Sequence, residues 1–261
     1  MRGMAQHVPI RLADAQDGDE RTISSTVLTR IRKDILAGVL APKAKLRIRD
    51  LQERYQVGFT PLREALTRLA AERLVVAEGQ RGYWVAPITI EDLANVVRLR
   101  QQIDSMALRL AVERGDEAWE AGIVATFHRL GKHQRDDSPG SYNDAWEERH
   151  AAFHTALIEG CRSDWLLHLS RQFLGLSTRY RRMSMQRLNL SFAHHMDEHR
   201  EIMDAALTRQ ADRACALIER HFSKTAVLVL DTGLFEVPEP ASVAAIEMEF
   251  LRSELARAQV L

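Results

Sequence analysis

The chain has 261 residues, enough for one large domain or two ordinary ones. Its apolar share of 46% is that of a soluble globular protein, and no run of about 18 apolar residues occurs, which excludes a helical membrane span. Basic and acidic side chains balance at 36 each, which excludes a uniformly basic nucleic-acid binder, yet residues 21–88 carry 13 Lys and Arg against 6 Asp and Glu.

Residues 1–20 are polar, lack sustained periodicity and are expected to form a flexible arm. They hold no apolar stretch of signal-peptide length, so a cytoplasmic protein is expected. Cys161 and Cys215 fit reduced, buried thiols better than a disulfide framework.

Within 21–88, Val27, Leu28, Ile31, Ile35 and Leu36 space out one face of a helix that starts after Ser24-Ser25 and stops at Gly38. A turn through Pro42 leads to a short helix from Arg49 to Tyr55, and a second turn surrounds Gly58. The next helix starts near Thr60-Pro61, with Thr60 as its cap, and buries Leu62, Ala65, Leu66 and Leu69. Two strand-like runs, Leu74 to Ala77 and Tyr83 to Ala86, flank a turn from Glu78 to Gly82.

Helix, turn, helix and small hairpin form the layout of a winged helix-turn-helix, and the excess of basic residues falls on the same segment. The second helix is expected to enter a major groove of operator DNA, with the wing beside the backbone. The residues expected to contact DNA are Arg32, Arg47, Arg49, Thr60, Arg63, Arg68, Arg81 and Gly82. A basic, solvated face is the competing reading of the same charges.

The motif Val57-Gly58-Phe59-Thr60-Pro61-Leu62-Arg63-Glu64-Ala65-Leu66-Thr67-Arg68-Leu69 resembles the reading helix of the GntR family of bacterial transcription regulators. The family's usual Ser-Arg pair before Thr-Pro is replaced here by Gly58-Phe59. That removes one arginine and leaves Arg49 and Arg63 to carry more of the recognition. Arg63 is expected to be essential, and Phe59 to pack at the helix entrance.

After the boundary at Pro87-Ile88, with Thr89 as a helix cap, the chain turns almost wholly helical. One long helix runs from Leu93 to Glu113 or Arg114, and a second from Glu117 to Lys132. A loop spans Arg135 to Ser141. Further helices cover about Asp144 to Glu159, Asp164 to Met183, Leu190 to Arg209 and Asp212 to Val229. No repeated strand pattern appears, so residues 89–230 are expected to form an antiparallel all-helical bundle and the whole fold to be mainly α. Residues 231–261 form a C-terminal extension with one further helix over Val243, Ile246, Phe250, Leu251 and Leu255, packed on its own bundle or on a partner subunit.

Four histidines in the bundle stand out. His150 and His154 are four residues apart on one helix, and His199 and His221 fall on two successive helices. Imidazoles presented this way suit a first-row divalent ion such as zinc or nickel. Hydrogen-bonded histidines in a polar part of the core are the alternative. His168, His194 and His195 are further histidines outside this pattern.

The bundle resembles the FCD ligand-binding domain of the FadR-like GntR subfamily, which carries an Asp-x-x-x-His pair and two later histidines. By that resemblance His150, His154, His199 and His221 are the metal ligands, with His150 standing where the family has Asp. Glu147, one turn earlier, is a candidate ligand or acceptor beside a ligand. The stretches Pro61 to Leu66, Ala71 to Val75, Arg149 to Ala156, Gly160-Cys161 and Arg179-Tyr180-Arg181 resemble a branch of carbon-starvation-induced repressors released by glutarate. A small dicarboxylate effector is what that resemblance implies.

Arg100 shares a helix face with Val97, Ile103 and Asp104 and matches the arginine of the family's R-x-x-L/I-E pattern; its fork suits a carboxylate. Arg179 and Tyr180 complete the expected effector contacts. A different organic acid, or an apolar effector without metal, remains an alternative. Hydrolysis by a metal-bound water is a remote one, since no nucleophile motif, phosphate loop or His-Glu-x-x-His signature is present. A homodimer reading a two-fold operator is expected.

Overall fold

The computed structural model describes residues 18–132, 144–188, 193–236 and 238–258. Most of the expected N-terminal arm and the 135–141 loop lie outside these residues. The chain divides into two compact units, residues 1–87 and 88–261.

The first unit begins with α1 (Gly18–Leu36), longer at its start than the apolar spacing indicates. Val27, Ile31 and Ile35 are fully buried against α3, and Gly38 takes the positive φ of 73° that ends the helix run. A two-residue strand, β1 (Lys45–Leu46), precedes α2 (Ile48–Tyr55) and α3 (Phe59–Ala71). The hairpin is β2 (Val75–Glu78), a single 3-10 turn at Gly79–Arg81, and β3 (Gly82–Val85).

The sheet order is β1-β3-β2, all antiparallel, with Leu46 opposite Tyr83 and Val75 opposite Val85. Leu62, Ala65, Leu66 and Leu69 of α3 have no solvent exposure, as their spacing of three and four dictates. Thr60 does not cap α3: Gly58 holds the cap position, and Thr60 and Pro61 lie inside the first turn.

The second unit contains α4 (Ile90–Arg114), α5 (Glu117–Gly131), α6 (Asp144–Glu159), α7 (Asp164–Leu188), α8 (Ala193–Leu207), α9 (Ala211–Asp231) and α10 (Val243–Ala258). Thr89 caps α4 by accepting the Asp92 N–H at 3.1 Å. α4 is the central helix, packed on α6, α7, α9 and α10. Its buried face alternates Leu93, Val97, Ala107, Leu108 and Ala111 with two charged residues, Arg100 and Asp104.

At the far end, Trp119 fills the space beside Gly115 and Gly160. An added Cβ would lie 2.1 Å from its ring at Gly115 and 3.1 Å at Gly160. Its indole N–H donates to the Leu157 carbonyl at 3.2 Å. α10 lies on its own bundle, against α9 and α4, with Leu251 in the common core. Among the described residues no helix is long and apolar enough to cross a membrane.

Candidate metal centre and DNA-reading surface

α6, α8 and α9 bring His150, His154, His199 and His221 into one buried cluster, with one ring nitrogen of each within 4.8 Å of the others. His154 Nε2 lies 3.1 Å from His150 Nε2 and 3.3 Å from His199 Nε2. Two nitrogens bound to one ion at about 2.0–2.1 Å stand about 2.9–3.4 Å apart for bond angles between right and tetrahedral. The spacings from His154 to His150 and to His199 therefore fit ligands of a shared divalent ion, and the remaining pairs lie within 4.8 Å.

Their protonation fits as well. Burial, then the charge of Arg181, holds His150 well below the usual imidazole range; burial, then His199 and His221, does the same to His154. Neutral imidazoles are the ligand form. Glu198 accepts from His221 Nδ1 at 2.8 Å and also binds Lys224. Burial raises the Glu198 pKa, but hydrogen bonds and charge from His221 and Lys224 outweigh it and hold the group at about 2. An ionised Glu198 can only accept, so His221 donates from Nδ1; burial lowers the His221 pKa, and in its neutral form Nε2 is the nitrogen left free to bind an ion. A carboxylate behind a ligand histidine fixes tautomer and ring orientation in this way.

Glu147 does not join the four histidines. Arg181 takes both its oxygens, at 3.0 and 2.6 Å, and Thr178 approaches at 3.5 Å. Trp146 stacks on His150 with ring centroids 4.6 Å apart, and Phe153 and Phe222 flank His199 and His154.

Beside the cluster is a small cavity of about 20 Å³ between α4, α7 and α9, lined by Arg100, Ser177, Tyr180, Arg181, His221 and Phe222 among others. Arg100 donates to Ser177 Oγ at 2.9 Å and to Asp104 Oδ2 at 3.2 Å, and its guanidinium lies 3.9 Å from the Phe222 ring centroid. Its buried Nε has no hydrogen-bond partner. Tyr180 donates to Asp92 Oδ2 at 2.6 Å.

Of the expected effector contacts, Arg100 and Tyr180 reach this cavity. Arg179 is buried near Asp92 and Tyr180 and is not among the lining residues; Arg181, two residues on, is. The run Arg179-Tyr180-Arg181-Arg182 gives no phase for its helix, so the sequence did not choose between them. Ser177 and Glu198 were missed, because only the crossing of two helices brings each to its partner. His168 is exposed, away from the cluster, near Trp165. The side chains of His194 and His195 lie outside the described residues.

In the first unit, Arg47, Arg49, Thr60 and Arg63 are exposed around α2 and α3. Arg68 is exposed but pairs with Glu64 one turn earlier on α3 at 2.7 Å. Arg32 is engaged elsewhere: its Nε and Nη2 donate to the two Glu72 oxygens, at 2.9 and 2.5 Å, tying α1 to the end of α3. Arg81 sits exposed at the wing tip, and Gly82 adopts φ 110°, which an L side chain rarely takes. Phe59 is not a packing residue: it is 52% exposed at the first position of α3.

Residues 23–85 match the gntR family of bacterial regulatory proteins, and residues 95–224 match the FCD domain. The chain is 38% identical over 194 residues to the HTH-type transcriptional repressor GlaR of Escherichia coli (strain K12), across 73% of this chain and 88% of GlaR. The chain belongs to the GntR family. A second member of that family, the uncharacterized HTH-type transcriptional regulator BphR of Paraburkholderia xenovorans (strain LB400), is 34% identical over 238 residues, covering 89% of this chain and 94% of BphR. Two solved GntR-type folds superpose on it. A transcriptional regulator GntR from Rhodococcus sp. RHA1 gives a TM-score of 0.66 at 19% identity, over 82% of this chain and all of that one. E. coli McbR/YncC gives 0.65 at 16% identity, over 80% and 97%. This GntR regulator is thus a DNA-binding transcription regulator with an FCD effector domain, and not an enzyme.

Proposed function

We propose that this regulator is a repressor whose FCD bundle holds a divalent metal ion and binds a small dicarboxylate, glutarate being the first candidate. The observation that carries the reading is the four-imidazole cluster beside a cavity walled by Arg100 and Arg181. His150, His154, His199 and His221 would hold the ion, and a carboxylate oxygen would join it by raising its coordination number above four, as zinc and nickel both allow. Arg100 and Arg181 supply positive charge for the rest of the acid, and the apolar residues Leu93, Val97, Ala226 and Val229 suit its methylene chain. The cavity has room for about one water molecule, so an acid of five carbons displaces the side chains of Arg100 or Phe222 as it enters.

Four nitrogen donors favour zinc or nickel over the oxygen-seeking magnesium and calcium. The name of the relative GlaR supports repression, and the glutarate assignment rests on the resemblance of the Arg149 to Ala156 and Arg179 to Arg181 stretches. A different organic acid controlling other genes is the second reading, supported by the same two arginines.

The working units are residues 21–88 for DNA and 89–230 for the effector, with 1–20 and 231–261 as extensions. The protein acts in the cytoplasm as a homodimer on a two-fold operator. Acid and operator binding are linked reciprocally: if the acid weakens DNA binding, DNA weakens acid binding by the same factor.

The test is calorimetric titration of the full chain with glutarate, a series of other dicarboxylates and a fatty acyl thioester, with zinc present and after chelation. Glutarate heat that vanishes on chelation and in His199→Ala supports the reading. Glutarate heat that survives both sinks the metal-mediated part, and silence from every dicarboxylate sinks the acid.

A further inference from the structure

On α3, Leu62, Ala65, Leu66 and Leu69 are fully buried, while Phe59, Thr60, Arg63 and Thr67 face solvent. Phe59, Arg63 and Thr67 follow one another at intervals of four and form a single ridge. Phe59 opens that ridge at the helix start, where a reading helix meets base edges. It is also one of the few large apolar side chains of the first unit left exposed, on the unit that carries the excess of basic charge.

A phenyl ring neither donates nor accepts hydrogen bonds, so at this position it cannot recognise guanine, adenine or cytosine by their polar edges. The one apolar group displayed in a major groove is the thymine 5-methyl. We propose that Phe59 is a specificity-determining residue, its ring set against the 5-methyl group of one thymine in each operator half-site, next to the base pairs reached by Arg63. This rests on α3 being the reading helix.

Phe59 is solvent-exposed, so its replacement leaves the core of α1 and α3 intact, and equal melting temperatures check this. Duplexes are selected from a randomised double-stranded pool with the full chain, with Phe59→Ala and with Phe59→Arg. Each thymine of the duplex selected by the parent is then replaced in turn by deoxyuridine, which lacks only the methyl group. One thymine per half-site is expected to lose about fourfold in affinity on that replacement, the worth of one buried methyl. Phe59→Ala binds the thymine and deoxyuridine duplexes alike, and Phe59→Arg selects guanine at that position.

A parent protein blind to every methyl, or a Phe59→Ala protein that keeps the discrimination, overturns the proposal. Arg63→Ala separates the two levels of failure. If it weakens binding while the methyl is not read, only the role of Phe59 falls; if it leaves binding intact, α3 is not the reading helix and both fall.

Discussion

Arg181 grips Glu147 through two hydrogen bonds, Nε to Oε1 at 3.0 Å and Nη2 to Oε2 at 2.6 Å, with each side chain only 6% exposed. Glu147 sits one turn before His150, and Arg181 lines the cavity that Arg100 also lines. The pairing answers a question that the replacement of Asp by His150 raises: the carboxylate one turn before His150 has both oxygens held by Arg181 and does not join the histidine cluster, whose carboxylate contact is Glu198 behind His221.

The first prediction follows from that pairing. Removing one partner leaves a buried charge alone, which costs about 3–5 kcal/mol, whereas removing both in favour of apolar side chains is often nearly neutral. Arg181→Met should lower the urea midpoint sharply, and Arg181→Met with Glu147→Leu should recover most of it. Glu147→Gln should still bind zinc at the parent stoichiometry by elemental analysis. Loss of zinc in that variant would show that Glu147 is a ligand after all.

Acidification of the metal-free protein gives a second prediction. His150 and His154 are held well below their ordinary pKa of 6.5, chiefly by burial. Above that value both are neutral folded and unfolded, and they contribute no pH dependence. Below it the unfolded chain takes up protons that the folded bundle refuses, so stability falls by up to about 1.4 kcal/mol per pH unit for each histidine. Glu198 acts in a lower window: its stabilisation is lost only as pH falls from its ordinary 4.5 towards about 2. Chelator-treated protein should therefore lose urea resistance between about pH 6.5 and about pH 5. A flat profile across that interval would exclude buried neutral histidines.

The spacing rules that make these histidines predictable explain what else was legible. Apolar residues at three and four placed α3 and α4 and their buried faces, because a helix of fixed pitch needs no knowledge of its partner. The same rule placed His150 above His154. Where two helices cross, the sequence was silent: nothing in it says that Glu198 of α8 meets His221 of α9, or that Arg181 rather than Arg179 turns towards α4 and α6. β1 escaped notice because two residues hold no period. Phe59 was misplaced because an aromatic residue at a helix entrance suggests burial unless the neighbouring surface is known to be free.

Arg63 and Arg32 should separate DNA binding from folding. Arg63 is exposed on the ridge of α3, so Arg63→Ala should weaken operator binding by about 1–3 kcal/mol without moving the melting temperature. Arg32 instead ties α1 to Glu72 through two hydrogen bonds on a partly exposed surface. Arg32→Ala should cost about 1 kcal/mol of stability or less and change operator affinity little. Fluorescence anisotropy on the selected duplex, together with a thermal melt, reads both; an Arg32→Ala protein of normal stability that fails to bind DNA would return Arg32 to the interface.

The C-terminal helix offers the last test. α10 packs on α9 and α4, the helices that carry His221 and Arg100. Leu251 is completely buried in the core that includes Leu93, Val97 and Val229. Arg98 of α4 binds Glu247 through both terminal nitrogens, at 3.0 and 2.5 Å, and lies 3.9 Å from the Phe250 ring centroid. A helix held by a buried leucine belongs to the folding unit, so Leu251→Ala should cost about 2–5 kcal/mol, in the range of other large-to-small core changes. Glu247→Ala removes a partly exposed pair and should cost about 1 kcal/mol or less. The ordering of the two decides the matter: if Leu251→Ala unfolds at the parent urea concentration, α10 does not seat on its own bundle in solution.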